Sequence, residues 1–492
     1  MVKKMKHKKD LIIVGAGPSG MAAAVTAKEY GLDVLVLDEQ AAPGGQIYRN
    51  LDRVPETRFS ILGKDYQAGR DLVSRFRLCN ADYEPNAIVW KIDPRGRVCF
   101  SKGGASREVA AQSVLIATGA VERPVPFPGW TLPGVMGAGA MDANFKSSGI
   151  YPQGPVVLAG SGPLLLLTAT HLLDLGVKIA GILETTPWKN YGRALGRVGG
   201  ALRRPGYLAK GLGLVARLKG AGIPWISRVV SYAAHGGADH ENSAQEGDRL
   251  QRVSYETSRK KGEFAATSLL VHEGIVPRCD FTRQLSLAHG WDPVQRYWYP
   301  KTTPQGRTQE LCIHVAGDTA FVHGGVAAAL KGELAAIDIA MQLKGPSRNL
   351  DRDSGRDLDS DLAGSAHERA AAPVYKKLAR ELFPRPFVDQ IYAPRRELYD
   401  LEDDVLVCRC EGVVAGDIRR ALAQGYLDIN AVKGVTRCGM GPCQGRMCGM
   451  ALAEIIAEHR GMDPGGISPL TIRPPVRNLS LMELADAQLE GE

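Results

Sequence analysis

The alternation of apolar and polar positions is most regular near the start of the chain, in residues 10–38. Residues 11–14 are an apolar run of strand length, and a glycine-containing turn and an alanine-rich run of helical length follow at once. A second apolar run, residues 34–37, ends at Asp38. This order predicts a strand, a tight turn, a helix and a second parallel strand, which is the opening unit of a dinucleotide-binding fold.

The turn of this unit contains three glycines at the spacing that a pyrophosphate site requires. Gly15 permits the tight turn, and Gly17 lets a phosphate group approach the backbone because it has no side chain. Gly20 allows the helix to lie close to the strand. Pro18 and Ser19 begin that helix, whose free N–H groups and positive dipole end would face the phosphates.

Two features beyond the turn strengthen this interpretation. Asp38 stands about 20 residues after the glycines, where a carboxylate can accept hydrogen bonds from a ribose. Glu39 follows it, and Gly45 and Gln46 belong to a glycine-rich loop that is suited to run close to a bound cofactor. The alternative is a glycine turn in another kind of α/β protein, and the acidic residue disfavours it.

Two later strand ends carry small residues or a carboxylate. Residues 114–116 form an apolar run that leads into Ala117, Thr118 and Gly119. Residues 311–315 form another, which leads into Gly317 and Asp318 before a predicted helix at 324–343. We expect both ends to return to the first nucleotide-binding domain.

A second unit of the same kind begins at residue 155, but it departs from the pattern twice. Gly160 and Gly162 match the first two glycines, whereas Leu165 occupies the third position. The ribose position falls on Leu183, one residue before Glu184, and leucine cannot bond a ribose. A working nicotinamide site, a site for a different nucleotide and a purely structural domain therefore all stay open, and NAD(P) is a doubtful cofactor.

Five of the nine cysteines lie in the last fifth of the chain, at positions 408, 410, 438, 443 and 448. Thiolates are the soft ligands that iron–sulfur clusters and zinc select. Cys408 and Cys410 could bind one iron of a two-iron cluster, and a second pair of cysteines could bind the other iron. A four-cysteine zinc site is an alternative. No C-x-x-C pair occurs, which excludes the dithiol chemistry of disulfide reductases.

Length and composition indicate a multidomain globular protein. The chain has 492 residues, which is too long for one core, and its hydrophobic content of 44% is ordinary. The net charge of +8 includes five lysines within the first nine residues, so we expect a solvated basic tail and no nucleic-acid binding. No apolar run of 18 residues occurs, and neither a transmembrane segment nor a signal peptide is predicted. A cytoplasmic location is expected.

The order of these patterns predicts six segments and an α/β fold. The boundaries are the first part of a nucleotide-binding domain (1–125), a degenerate second nucleotide-binding domain (126–300), a return segment of the first domain (301–345), a linker and helix (346–400), a cysteine-containing domain (401–465) and a tail (466–492).

The motifs of residues 10–345, in this order, resemble the flavoproteins with two dinucleotide-binding domains of the glutathione and thioredoxin reductase type. The resemblance implies two Rossmann-like domains, with the ADP half of FAD at the first unit. It also implies that Asp318 bonds the ribityl or pyrophosphate region. An adenine nucleotide such as ATP or ADP without a flavin is an alternative for this unit.

The cysteine region resembles the small helical [2Fe-2S] domain of bacterioferritin-associated ferredoxin, which also occurs in anaerobic glycerol-3-phosphate dehydrogenases. The shared run is TR-x-GMGPCQG-xx-C. The resemblance implies the ligands Cys408, Cys410, Cys443 and Cys448, and it places Cys438 at a variable position as a substitute.

The flavoprotein motifs, the FPGWTLPGVMGAGA run and TRCGMGPCQGRMCG together resemble the alpha subunit of hetero-oligomeric dye-linked dehydrogenases. Members oxidise opines, proline or D-hydroxyproline, and the hydrogen cyanide synthase subunit is similar. The resemblance implies a beta subunit similar to D-amino-acid oxidase, a third small subunit in some complexes, an amino-acid-like substrate and a quinone or other acceptor.

In such complexes the partner oxidises the C–N bond and this chain carries electrons, so no catalytic residue is assigned to it. FMN at a subunit interface and peripheral contact with the inner membrane stay open. The alternative functions are a stand-alone NAD(P)H-dependent flavin reductase and a hydrogen cyanide synthase subunit.

Overall fold

The computed structural model describes residues 8–237, 249–345 and 359–486. Most of the predicted basic tail, most of the predicted polar loop at 234–252 and the start of the predicted linker at 349–367 lie outside these ranges.

The described residues contain strands and helices in an alternating order. The strands are β1 (Lys9–Val14), β2 (Val34–Asp38), β3 (Asp82–Pro85), β4 (Ile88–Ile92), β5 (Arg97–Lys102), β6 (Ala105–Ile116), β7 (Ala120–Glu122), β8 (Val135–Gly137), β9 (Val156–Gly160), β10 (Ile179–Glu184), β11 (Trp225–Ser227), β12 (Val229–His235), β13 (Arg252–Thr257), β14 (Lys261–Ala265), β15 (Ser268–His272), β16 (Ile275–Pro277), β17 (His289–Asp292), β18 (Tyr297–Pro300), β19 (Ile313–Val315), β20 (Leu406–Cys408) and β21 (Val413–Val414). The helices are α1 (Pro18–Glu29), α2 (Glu56–Gln67), α3 (Arg70–Leu78), α4 (Ala138–Ser148), α5 (Pro163–Asp174), α6 (Trp188–Leu195), α7 (Val198–Leu202), α8 (Pro205–Gly220), α9 (Asp280–Gln284), α10 (Gly325–Lys344), α11 (Asp359–Leu382), α12 (Arg385–Ile391), α13 (Ala415–Ala423), α14 (Ile429–Thr436), α15 (Gly449–His459) and α16 (Leu481–Asp486).

The first sheet has the order β3-β2-β1-β6-β5-β4, and β19 also pairs with β6. Strands β3, β2, β1, β6 and β19 are parallel to one another, with Ile12 in register with Leu35 on one side and Val114 on the other, whereas β5 is antiparallel to β6. The central strands are apolar over residues 11–14, 34–37 and 114–116 because both faces of the sheet are covered there. Their carboxyl ends meet at one edge, which is where an open α/β sheet binds its ligand.

The second sheet is also parallel, in the order β11-β10-β9-β15-β8. An antiparallel sheet β12-β13-β14 packs against it, with Tyr232 and Tyr255 contributing to the shared core. Three helices, α6, α7 and α8, connect β10 to β11. The apolar run at 269–276 is divided into β15 and β16, because Gly274 adopts a φ of +99° between them.

The C-terminal part is a small helical unit built on α13, α14 and α15. Its own core includes Val407, Ile418, Val432, Leu452 and Ile456, each without measurable exposure. Helix α11 begins at Asp359, earlier than the predicted start near residue 370, since the intervening residues include alanines and an acidic first turn. The predicted fold class, two Rossmann-like domains and a small C-terminal helical domain, is confirmed. The exact domain limits stay predictions.

Candidate functional site

The first glycine turn is packed so tightly that larger residues cannot replace its glycines. Gly15 has a φ of +106°, and a Cβ atom there would lie 2.5 Å from the carbonyl oxygen of Ala117. A Cβ atom on Gly20 would lie 1.8 Å from the carbonyl oxygen of Gly15. The roles predicted for Gly15 and Gly20, a tight turn and a close helix, therefore match the backbone geometry.

Gly17 is half-buried, and the loop containing Gly45 lies against it. A Cβ atom on Gly45, whose φ is +60°, would lie 2.9 Å from the Cα atom of Gly17. Gly17 caps α1, so Pro18 and Ser19 are its first two residues. The buried Oγ atom of Ser19 has no hydrogen-bond partner among the described residues. An amide-rich helix end with an unpaired hydroxyl fits a phosphate group.

Asp38 ends β2 and is 5% exposed. Its carboxylate accepts a hydrogen bond from the backbone N–H of Gln40 at 3.3 Å and a long one from the Tyr83 hydroxyl at 3.5 Å. Burial raises the pKa of Asp38 to about 6, since these two bonds compensate only part of the desolvation. A ribose hydroxyl would supply the further donor that this carboxylate lacks.

Glu39 lies in a group of charged side chains, and its contact with a nucleotide stays a prediction. Its carboxylate forms an ion pair with Arg278 at 2.9 Å and approaches Arg477 at 3.9 Å. Both arginines also contact Asp280, at 3.6 and 3.1 Å. Arg278 and Arg477 carried no signal in the sequence beyond their charge, because their partners lie far away along the chain.

The AGD and ATG segments lie together at the edge of the first sheet. The backbone N–H of Gly119 donates to Thr319 Oγ1 at 2.6 Å. Asp318 Oδ1 accepts hydrogen bonds from the backbone N–H groups of His323 at 2.9 Å and Gly324 at 3.1 Å, which fixes the start of α10. A Cβ atom on Gly317 would lie 2.6 Å from the Cβ atom of Ser19, so this segment borders the glycine turn.

The remaining predicted residues line the same edge. Ala117 and Thr118 follow β6 directly, and the Thr118 hydroxyl lies 3.4 Å from that of Thr319. The carbonyl oxygen of Gln46 accepts a hydrogen bond from Lys146 at 3.3 Å. The predicted nucleotide-binding residues thus surround one continuous cradle, although their contacts with a nucleotide stay a prediction.

The corresponding place in the second domain is filled by the protein's own groups. Glu184 accepts hydrogen bonds from the Tyr191 hydroxyl at 2.9 Å, from Trp225 Nε1 at 3.0 Å and from the Ser227 hydroxyl at 2.9 Å. Leu183 is fully buried. A Cβ atom on Gly162 would lie 3.0 Å from the ring of His272, so an imidazole covers the second glycine turn.

Three of the five C-terminal cysteines form a buried group. The Sγ atoms of Cys408, Cys438 and Cys448 all lie within 4.8 Å of one another. Hydrogen bonds from the other two thiols, together with backbone N–H groups of Gly439 and Glu411, lower the pKa of Cys408 to about 2. Contacts with Cys408 and Cys438 raise the pKa of Cys448 far above its usual range. The family resemblance placed Cys438 as a substitute ligand, and in the fold Cys438 is one of the three members of this buried group.

Cys410 and Cys443 lie beside that group. Cys410 is exposed, and its thiol interacts with both the backbone and the side chain of Cys443. A Cβ atom on Gly441 would lie 2.2 Å from the Cβ atom of Cys410, so the loop passes directly over this cysteine. Leu470 covers the other side, where Cβ atoms on Gly439 and Gly445 would lie 3.0 and 2.4 Å from its Cδ1. Three buried thiols with two more accessible thiols beside them fit a thiolate-ligated metal centre.

Trp130 joins the second domain to the cysteine domain. Its Nε1 donates to the carbonyl oxygen of Leu406 at 2.7 Å, and Leu406 begins the short strand that ends at Cys408. The loop that carries Trp130 therefore fixes the strand that leads into the cysteine group.

Comparison with known proteins agrees with this arrangement. Residues 9–197 match the family described as pyridine nucleotide-disulphide oxidoreductase, and residues 399–488 match the sarcosine oxidase A3 domain. The chain is 36% identical to the A subunit of opine oxidase from Rhizobium meliloti (strain 1021), over 97% of this chain and 98% of that protein. The chain belongs to the family of opine oxidase A subunits.

Two further comparisons extend this result. The chain is 34% identical to hydrogen cyanide synthase subunit HcnB of Pseudomonas aeruginosa, over 89% of this chain and 90% of that protein. The crystal structure of L-proline dehydrogenase from P. horikoshii shares the fold, with a TM-score of 0.67 and 18% identity over 97% of this chain and 79% of that one.

These findings confirm the predicted class, an oxidoreductase subunit of the type found in multi-subunit opine and amino-acid dehydrogenases. The pyridine nucleotide-disulphide oxidoreductase match supports a flavin nucleotide at the first unit. The relatives are themselves named as subunits, so this family works in hetero-oligomers. Among the described residues, none of the helices is both long enough and apolar enough to cross a bilayer.

Proposed function

We propose that this chain is the electron-carrying subunit of a heteromeric dehydrogenase that oxidises the C–N bond of an opine, imino acid or amino acid. The observation that carries the proposal is a nucleotide cradle and a buried thiol group within one chain that is 36% identical, over 97% of its length, to the A subunit of an opine oxidase. We take the substrate class from the name of this relative. We infer the redox role from the nucleotide cradle and the thiol group.

FAD is the nucleotide that we assign to the first unit. The α1 terminus with Gly17 and Ser19 would hold the pyrophosphate, and Asp38 would accept from the adenosine ribose. Asp318, at the far end of the cradle, would orient the ribityl region. A flavin bound there would accept two electrons at once and release them one at a time.

A [2Fe-2S] cluster is the metal centre that we assign to the cysteine domain, with Cys408, Cys410, Cys443 and Cys448 as ligands. Cys438 is the substitute ligand, and its place within the buried thiol group strengthens its candidacy. Such a cluster would supply one-electron transfer. The protein contributes a sheltered loop, since Leu470 excludes water from one side of the thiol group.

The complex requires other chains and an acceptor. We assign substrate oxidation to a beta subunit similar to D-amino-acid oxidase, and electron release to a quinone or other acceptor. The proposed location is the cytoplasm, with peripheral attachment to the inner membrane. A third small subunit belongs to the same proposal.

Two alternative functions are less well supported. A stand-alone NAD(P)H-dependent reductase would need the second unit, where Glu184 and the second glycine turn are already engaged by protein groups. A role in hydrogen cyanide synthase is favoured by the 34% identity to HcnB, which is lower in identity and in coverage than the opine oxidase match.

Co-expression of the chain with the products of its genomic neighbours, followed by anaerobic purification, tests the proposal. We expect a hetero-oligomer that contains FAD, iron and sulfide and that reduces an artificial dye with an opine or imino acid but not with glycine. A colourless and iron-free complex would contradict it. Release of cyanide from glycine would instead assign the hydrogen cyanide synthase function.

A further inference from the structure

The connection between β10 and β11, residues 185–224, concentrates positive charge. It contains eight Lys and Arg residues and no Asp or Glu, while the whole chain has a formal net charge of +8. The segment forms α6, α7 and α8 on the outside of the second domain. Helices α6 and α7 both pack on α12, and α7 contacts α8, so the charge lies on adjoining helices, which we name the basic helical surface.

Carboxylates from elsewhere in the fold neutralise only part of this charge. Four ion pairs are present: Lys189 with Glu397, Arg204 with Glu381, Lys210 with Asp65, and Arg217 with Asp174. Within the described ranges, no carboxylate lies within 4 Å of the cationic groups of Arg193, Arg203 or Lys219, and all three residues are exposed. A net excess of positive charge thus faces solvent.

The basic helical surface also exposes large apolar side chains. On α6, Trp188 and Leu195 are 61% and 69% exposed, and Tyr191 lies between them with its ring centroid 5.6 Å from that of Trp188. The opposite side of α6 is buried through Asn190, which donates to the carbonyl oxygens of Ile391 and Ala393. Helix α6 is thus fixed to the protein on one side and presents an aromatic and aliphatic stripe on the other.

Helices α7 and α8 also expose apolar side chains. Leu202 on α7 is 61% exposed and Leu212 on α8 is 71% exposed. Helix α8 has 16 residues, and Leu218 is its one buried residue. Leu214 and Val215 are half-buried and pack against the main core beside Leu218, so Leu212 and Tyr207 are the apolar side chains that α8 leaves for another contact.

We propose that the basic helical surface docks this chain on an anionic lipid membrane. Tryptophan and tyrosine beside leucine on one face, with Lys and Arg around them, is the composition of helices that lie in the plane of a membrane interface. Each cation near an anionic leaflet adds to the attraction between the two surfaces. Protein–protein interfaces also favour Trp, Tyr and Arg. The observation that favours a membrane is the one-sided charge, since residues 185–224 contain eight cations and no Asp or Glu and so suit an extended anionic surface.

The inference rests on this surface and is independent of the proposed electron-carrying role. It would place the second domain against the bilayer without any spanning segment. Because a lipid-soluble acceptor resides in the bilayer, such docking would also bring the complex to the acceptor that we propose.

Vesicle flotation of the purified complex tests the docking. We expect binding to phosphatidylcholine vesicles that contain phosphatidylglycerol, no binding to pure phosphatidylcholine vesicles, and loss of binding at high salt. The double variant Trp188→Ser with Leu195→Ser should bind at least about tenfold more weakly, since two apolar side chains no longer insert. Arg193→Glu with Arg203→Glu should remove the preference for anionic vesicles.

Leu311→Ser is the matched control, because Leu311 is 92% exposed but lies outside the basic helical surface, next to β19. It should bind like the unmodified complex. Equal flotation with neutral and anionic vesicles, or unchanged binding of both double variants, would overturn the proposal. Loss of a partner chain from the Trp188→Ser and Leu195→Ser variant, with no vesicle binding by the unmodified complex, would overturn it in favour of a protein interface. None of these readouts measures electron transfer, so failure here would remove the proposed membrane attachment and leave the proposed electron-carrying role untouched.

Discussion

Arg446 Nη1 donates a hydrogen bond to the carbonyl oxygen of Val476 at 2.8 Å, and the Val476 side chain is completely buried in the core of the first domain. Arg446 lies between Cys443 and Cys448, so this bond ties the cysteine loop to the flavoprotein body. The tail is held at the same point by its own backbone, because the N–H of Val476 donates to the carbonyl oxygen of Trp90 at 2.9 Å. The tail therefore acts as a bridge between the two predicted redox sites.

Arg446→Ala should loosen the cysteine loop and leave the first domain folded. The change removes a charge-assisted hydrogen bond and an ion pair with Asp280 at 3.6 Å, and we expect local opening to become easier by about 1 kcal/mol. Hydrogen exchange in residues 440–448 and 470–477 should accelerate, whereas exchange in β1 and α1 should not change. Arg409→Ala, at an exposed arginine beside Cys410, is the control. Unchanged exchange in the cysteine loop would show that the bridge is dispensable.

The ligand set can be tested with single cysteine variants. We expect Cys443→Ser to lose the cluster and Cys438→Ser to keep it, measured as iron and sulfide content and as the electron paramagnetic resonance signal of the reduced protein. Cys312→Ser, at a half-buried cysteine remote in sequence from the loop, is the control. The opposite pattern would make Cys438 the ligand, consistent with its place beside Cys408 and Cys448. Tetrahedral zinc in place of iron and sulfide would contradict the cluster itself.

The sequence revealed the parts of this site that depend on local geometry. Local backbone geometry requires small residues at the first turn and at 117–119, and a carboxylate at the end of the second strand. These requirements fall within a few neighbouring positions, so the sequence pattern predicts them. The ion pairs of Glu39 with Arg278 and Arg477 join distant segments, and no local pattern encodes them. The helices of residues 188–220 were not predicted, because frequent glycines obscure their periodicity.

Gly45→Ala should weaken nucleotide binding without unfolding the chain. Alanine is disfavoured at the φ of +60° found there, and its Cβ would lie 2.9 Å from the Cα atom of Gly17. Relief of this contact would move the loop away from the cradle, at a cost of about 1 to 2 kcal/mol. We expect at least about tenfold weaker flavin binding, measured by fluorescence titration of the nucleotide-free chain. Gly434→Ala, at an open position within α14, should bind normally. Normal binding by Gly45→Ala would mean that the loop does not contact the nucleotide.

Anaerobic NADH or NADPH should leave the bound flavin oxidised. The carboxylate of Glu184 is occupied by three donors, and the His272 ring covers the second glycine turn, so a nicotinamide dinucleotide has neither its ribose acceptor nor its phosphate cradle. The absorbance of the flavin in the blue region measures this directly. Dithionite, which needs no binding site, should bleach it and serves as the control. Rapid bleaching by NADPH would support the alternative function as a stand-alone reductase.

Asp38→Asn should stabilise the nucleotide-free chain in a pH-dependent way. The folded-state pKa of about 6 lies above the usual value of 3.8, so the unfolded chain releases this proton first as the pH rises. Below about pH 4 Asp38 is largely protonated in both the folded and the unfolded chain, so its titration changes the free energy of unfolding little. Above about pH 6 its ionised form lowers the free energy of unfolding by up to about 3 kcal/mol. The variant should therefore unfold at a higher temperature than the parent at about pH 7.5 and at a similar one at about pH 4.

The Asp38→Asn variant should also bind the nucleotide more weakly, because an amide is a poorer acceptor for ribose hydroxyls than a carboxylate. The exposed Asp71, changed to Asn, should show neither effect. A variant that is destabilised equally at both pH values would mean that the Asp38 carboxylate supports the fold and is not held ready for a ligand.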